Sequence, residues 1–172
     1  MTPEEVAMQI DSCVAEMMTA PQFFDEVALC FRSEAELEHF VKQAQAIGVE
    51  NFNSVERDRM VRQNGLGEFD VRFEFLRLPH RSWRIEAMCV LGGEAPLHEW
   101  AMESGSPVLI HLSYKCESVE AYQEEIRKLL FAGEHLHAEY RNSYGLFSYW
   151  TLPSQGKKGR LPYIKPRVNL RD

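Results

Sequence analysis

Residues 110–117, Ile-His-Leu-Ser-Tyr-Lys-Cys-Glu, decide the reading of this chain, because residues 27–34, Val-Ala-Leu-Cys-Phe-Arg-Ser-Glu, share their pattern. The offset is constant at 111 − 28 = 83. Apolar residues coincide at 27/110, 29/112 and 31/114, a base at 32/115 and a glutamate at 34/117. Each copy is a strand-like run leading into a helix-like stretch, so the pattern describes a duplicated strand–helix unit. The copies differ where Ala28 in one is His111 in the other, which marks His111 as a place to look for function.

Working outward, Ser33 caps a helix whose stripe is Leu37, Phe40, Val41, Ala44 and Ile47, with Gly48 as its stop. A short strand is expected around Asn51 to Val55, and Asn64-Gly65-Leu66-Gly67 reads as a turn. Phe69, Val71, Phe73 and Phe75 then alternate with Asp70, Arg72, Glu74 and Leu76, the period of a strand. Leu78-Pro79-His80-Arg81 turns the chain into a hairpin partner over Trp83 to Leu91. The second unit runs from Val108 to Lys115 into a helix carrying Val119, Tyr122, Ile126 and Leu129, stopped by Gly133. Strands follow at His135 to Arg141 and Gly145 to Leu152. A last one, Tyr163 to Leu170, contains Pro166, which suits an edge or an irregular tail.

Each half therefore reads β-α-β-β-β, and the chain is predicted to be a single α+β domain with a curved mixed sheet around a concave cup. The expected parts are an N-terminal helical appendage (1–22), a first module (23–92), a connector (93–107) with one helical turn around Leu97 to Met102, and a second module (108–172). The appendage opens with a capping box, Thr2-Pro3-Glu4-Glu5, followed by Val6, Ile10, Val14 and Met17 on one face.

Composition narrows the classes. A net charge of −7 over 172 residues argues against nucleic acid as a partner. The one basic cluster, Lys157, Lys158, Arg160, Lys165, Arg167 and Arg171, reads as a solvated tail. Spanning a bilayer takes about 20 apolar residues, and no such run exists, so no membrane partner is expected. Glu4 and Glu5 stand where a signal peptide would be basic. Cys13, Cys30, Cys89 and Cys116 match no zinc-ligand spacing, and reduced thiols in the cytoplasm are expected.

If each helix covers the apolar face of its strands, Ile110, Leu112 and Tyr114 pack beneath it and His111, Ser113 and Lys115 point away. By the same logic Ala28 and Cys30, the row Asp70, Arg72 and Glu74, and the pair Arg84 and Glu86 face the cup. A polar concave surface is a natural place for a small-molecule ligand.

Two segments carry a family likeness: His111-Leu-Ser-Tyr-Lys-Cys-Glu-Ser leading into a helix, and Arg84-Ile-Glu86-Ala near the end of the first unit. With the tandem β-α-β-β-β pattern, over about residues 25–170, they resemble the vicinal oxygen chelate superfamily of glyoxalase I, extradiol dioxygenases and bleomycin-resistance proteins. The resemblance implies a divalent ion (Zn²⁺, Mn²⁺ or Fe²⁺) held by the first and last strands of each unit. Carried over by position, Glu86 and His111 are the metal ligands. Ala28 stands where a further ligand is implied, and the last strand of the second unit lands near Ile164 to Pro166, where there is no carboxylate. Glu26, on the parity of Ala28, and His135 and His137, two apart on one strand, are weaker candidates. Glu74 and Glu139 are candidate bases.

Plainer roles stand beside these. Glu86 pairs equally well with Arg84 or Arg72, His135 and His137 suit a solvent-facing edge, and Tyr144, Phe147, Tyr149 and Trp150 suit core packing. His98-Glu99 lacks the second histidine of a zinc-protease motif, since position 102 is Met. Three readings stay open: a small-molecule-binding protein with a polar cup, with or without a divalent metal; a metal-dependent lyase, isomerase or dioxygenase acting on vicinal oxygens; and a non-catalytic interaction module. A homodimer through edge strands is compatible with all three.

Overall fold

The computed structural model describes residues 2, 4–5, 7–8, 24–63, 65, 67–103, 105–151 and 162–171. Along the chain it comprises β1 (Glu26–Phe31), α1 (Glu34–Ala46), β2 (Glu50–Arg62), β3 (Glu68–Arg77), β4 (Arg84–Gly93), α2 (Pro96–Met102), β5 (Val108–Cys116), α3 (Val119–Phe131), β6 (His135–Arg141), β7 (Gly145–Thr151) and β8 (Tyr163–Asn169). The duplication is visible in the capping chemistry. Ser33 accepts a hydrogen bond from the Glu36 amide at the head of α1, and Ser118 accepts one from Ala121 at the head of α3. Both helices are followed by a glycine in the left-handed region, Gly48 (φ 86°) and Gly133 (φ 79°).

The strands close into one barrel in the order β1-β4-β3-β2-β6-β7-β8-β5. Within each module the first and last strands are parallel neighbours, β1 with β4 and β5 with β8. The modules meet along the antiparallel pair β1–β5, and the far seam pairs Val61 with Arg141 and Arg62 with Tyr140 of β2 and β6, with the Gln63 amide also donating to the Glu139 carbonyl. Strand β2 is thus far longer than the short strand expected, because it must reach across to that seam.

Most of the buried apolar residues fall in two layers, with a smaller cluster of Cys116, Tyr122 and Val168 beside α3. Outside the barrel, Val27, Leu29, Phe31, Ile85, Ala87 and Cys89 pack under Leu37, Phe40, Val41 and Ala44 of α1. Inside it, Ala28, Cys30, Phe69, Val71, Phe73, Phe75, Met88, Ile110, Tyr140 and Tyr149 fill one end together with Ala95 and Ala101 at the connector helix. Each large side chain removed from water here contributes about 1.5–3 kcal/mol. At the N-terminus the capping box forms, with the Glu5 amide donating to Thr2 Oγ1 and the Thr2 amide to Glu5 Oε2. Ala7 is buried against the outer layer, and the rest of the expected helix lies outside the described residues.

Three expectations are corrected. On β3 the faces are reversed: the Phe69–Phe75 row points into the barrel, and Arg72 faces α1, where it bonds Glu34 and Glu38. A closed barrel needs an apolar filling of its own, and that demand outweighs the helix's claim on β3. On β5, a bulge opposite Ala28 and Leu29 adds one residue, so Ile110 joins the interior instead of lying under the helix. Finally, β8 is an internal strand, not an edge. Its pairing with β7 runs from Gly145–Asn169 to Phe147–Arg167 and resumes at Trp150–Ile164, skipping Lys165 and Pro166. The proline, which has no N–H to give, sits where that ladder opens.

Candidate functional site

Four strands bring the site together at the β1–β5 junction. Ala28 pairs with both Glu86 of β4 and His111 of β5, so those two side chains flank an empty methyl position. Glu26, two residues earlier on β1, supplies the acid that Ala28 lacks. Glu26, Glu86 and His111 each offer one ligand atom, and these atoms lie within 4.8 Å of one another, all three residues being buried. That is the donor chemistry of a divalent-metal site.

The space between them is taken by Lys165 of β8, which is itself 5% exposed. Its Nζ lies 3.2 Å from His111 Nε2, 3.3 Å from Glu86 Oε2 and 3.6 Å from Glu26 Oε1. An ion bonded to all three side chains, at about 2.0–2.2 Å from each, would sit directly against this ammonium. The residues present therefore do not fit a divalent ion while Lys165 holds its place. Glu26 is further engaged by Arg84, whose Nη2 and Nε donate to Oε2 at 2.6 and 2.9 Å.

Electrostatics follow from this packing. Burial raises the Glu86 carboxyl, but the Lys165 ammonium and the Arg84 guanidinium outweigh it and hold the acid below its ordinary range. Burial, reinforced by Lys165, holds the His111 imidazole well below its ordinary range, so the ring is neutral. Because an ammonium can only donate, His111 Nε2 accepts and the ring proton resides on Nδ1. Among the described residues that buried Nδ1 has no hydrogen-bond partner. His111 also packs 5.4 Å from the ring of Tyr149, which stands in turn 5.9 Å from His98. On the interior face, burial pushes the Cys30 thiol up to about 12, away from the reactive thiolate form. Cys30, Cys89 and Cys116 are free thiols, as expected.

Above the cluster a cavity of about 190 Å³ opens. Its charged floor is Glu26, Glu86, Lys165, Arg84 and Arg167, and Phe73, Phe75 and Phe147 form its walls. Arg84 lies over Phe75 at 4.7 Å and Lys165 over Phe147 at 4.7 Å, so the aromatic walls steady two of the cations. The cup is thus aromatic with one concentrated patch of charge, where an extended polar surface was expected.

Of the expected site residues, the fold gathers Glu86, His111 and Glu26. It does not bring Glu74 or Glu139 to the cup. Glu74 accepts from Asn51, Ser54 and Arg72 on the outer face, and Glu139 accepts from Tyr122 of α3. His135 and His137 meet edge to face at 4.6 Å, with His137 against Tyr163, apart from the Glu–Glu–His group. The residue missed is Lys165. Composition assigns both it and Arg167 to a solvated tail, yet they alternate with Ile164, Pro166 and Val168 at strand period, the one sequence signal of their place in β8. The tail residues Lys157, Lys158 and Arg160 lie outside the described residues.

This barrel, with its paired modules and a cup at their junction, is the fold of the vicinal oxygen chelate superfamily. The chain is similar in structure to methylmalonyl-CoA epimerase from Mycobacterium tuberculosis, with a TM-score of 0.56 at 16% identity over 90% of this chain and 95% of that one. A variant of the Streptomyces coelicolor methylmalonyl-CoA epimerase with bound 2-nitronate-propionyl-CoA gives 0.54 at 13% identity, covering 87% and 95%. A methylmalonyl-CoA epimerase in complex with methylmalonyl-CoA and NH4+ gives 0.53 at 14%, covering 86% and 94%. No family model matches the chain, and no curated protein matches its sequence.

Proposed function

We propose that the protein binds a small ligand bearing carboxylate or carbonyl oxygens in the cup between its modules. The observation that carries this reading is the cavity itself: a compact, aromatic-walled space whose floor holds Arg84, Lys165 and Arg167 beside Glu26 and Glu86. Guanidinium groups carry several N–H donors each, more than their pairing with Glu26 and Asp25 uses, and these suit an oxygen-bearing head group, while the phenyl rings suit a short apolar body. Structural neighbours of the same fold are solved with 2-nitronate-propionyl-CoA and with methylmalonyl-CoA, which supports trying acyl thioesters among the compounds.

A ligand-dependent melting assay tests it, using short carboxylates, 1,2-dicarbonyls and acyl-CoA esters, followed by calorimetry on any compound that shifts the transition. Saturable binding that Arg84→Met weakens by more than about tenfold supports the reading. Binding indifferent to Arg84→Met places the ligand elsewhere and contradicts it, and no saturable binding from any of the three classes favours an interaction module. The clustering of Glu26, Glu86 and His111 favours a second reading, a metal-dependent enzyme acting on vicinal oxygens, and that reading requires Lys165 to leave its position.

A further inference from the structure

We infer that the Lys165 ammonium is a tethered substitute for a divalent cation, so that the cup works without metal and one substitution would turn it into a metal site. This stands on the geometry of the floor and is independent of which ligand the cup takes. Position is the first argument. Nζ lies within 3.6 Å of one atom from each of Glu26, Glu86 and His111, the three side chains that a cation at this junction would use. Charge balance is the second. The buried carboxylates of Glu26 and Glu86 are already matched by Lys165 and Arg84, while Arg167 pairs with Asp25 at 2.8 Å and also reaches Glu26 at 3.5 Å. With Asp25 and Arg167 counted, three negative and three positive charges sum to zero, so a divalent ion would add two uncompensated charges to a site walled by phenyl rings. Replacing Lys165 with glutamate reverses the arithmetic. Four carboxylates against Arg84 and Arg167 leave a charge of two negatives, which one divalent ion neutralises.

The experiment titrates Mn²⁺ and Zn²⁺ into untagged, chelator-stripped protein by calorimetry, with melting temperature as a parallel readout. Wild type, Lys165→Met and Lys165→Glu are compared. The expected result is no saturable binding by wild type and one equivalent bound by Lys165→Glu, with a rise in melting temperature. Lys165→Met, short of one carboxylate, is expected to bind more weakly. Adding His111→Ala to Lys165→Glu should weaken the new site by more than about tenfold. Should Lys165→Glu fold only once metal is added, that too supports the inference; should it stay unfolded throughout, Lys165→Met is held to the same criterion. One equivalent bound by wild type and abolished by His111→Ala would overturn the inference, and so would a folded Lys165 variant that takes up no metal.

Discussion

Lys165 carries a positive charge into a space bounded by two carboxylates and an imidazole, and those groups depend on it for their own burial. Removing one partner of a buried ion pair leaves the other unpaired, at a cost of about 3–5 kcal/mol. Lys165→Met is expected to lose about that much in urea unfolding near neutral pH, and to recover part of it on addition of Mn²⁺. Equal stability with and without metal would argue against a cation-shaped vacancy in the variant. His98 makes a second, separable prediction. Burial first, with His111 and Lys165 nearby, pushes its imidazole down to about 3 from an ordinary 6.5. Above the ordinary value the ring is neutral in both folded and unfolded states, and stability is unaffected. As pH falls from there towards about 3, the unfolded chain takes a proton that the folded chain refuses. Stability should then drop by about 1.4 kcal/mol per pH unit for this one group. His98→Phe is expected to remove that share of the slope in unfolding measured between about pH 7 and about pH 5, leaving the share due to His111. An unchanged slope would show that His98 is not held neutral. Among these residues the repeat and strand parity pointed to His111, while Glu86 as a ligand came only from the position that the family resemblance implies. Lys165 was not legible, since a lysine beside prolines in a basic stretch has the composition of a tail and shows its role only when β8 is seated between β5 and β7.

Strands β5, β7 and β8 set how finely the floor is placed. The bulge on β5 turns Ile110 inward beside His111, and no sequence rule foretells it, because alternation alone assigns neighbouring residues to opposite faces. The same limit explains β3: its apolar and charged faces were read correctly, but which face meets the helix depends on barrel closure, a property of distant pairings. The helices were legible in detail, since the serine caps and glycine stops are local chemistry. Close approach is the controlling feature at Gly145, the first residue of β7. A Cβ added there would overlap the Val168 carbonyl of β8. Gly145→Ala is therefore expected to cost about 1–3 kcal/mol and, by pushing β8 away, to weaken ligand binding in the cup. Thermal melts and calorimetry with a cup ligand check both effects; a melt within error of wild type would show that the two strands are not in such contact.

Taken as a whole, the molecule is a duplicated module closed on itself, with its dry interior at one end and a charged, aromatic-walled cup at the junction. Tandem architecture was legible because duplication is written in the order of residue types. Closure was not, because it rests on the short seam between β2 and β6. The cup's character follows from closure as well: once the β3 phenylalanines turn inward, the charge that the described residues bring to the cup is concentrated where Glu26, Arg84, Glu86, Lys165 and Arg167 converge. The most direct test is a high-resolution crystal structure of the untagged wild-type protein soaked in Mn²⁺, with an anomalous difference map. The expected map shows Lys165 Nζ seated among Glu26, Glu86 and His111 with no anomalous peak between them. A peak at coordination distance from those three side chains, with Lys165 swung away, would contradict a cup built around its own cation.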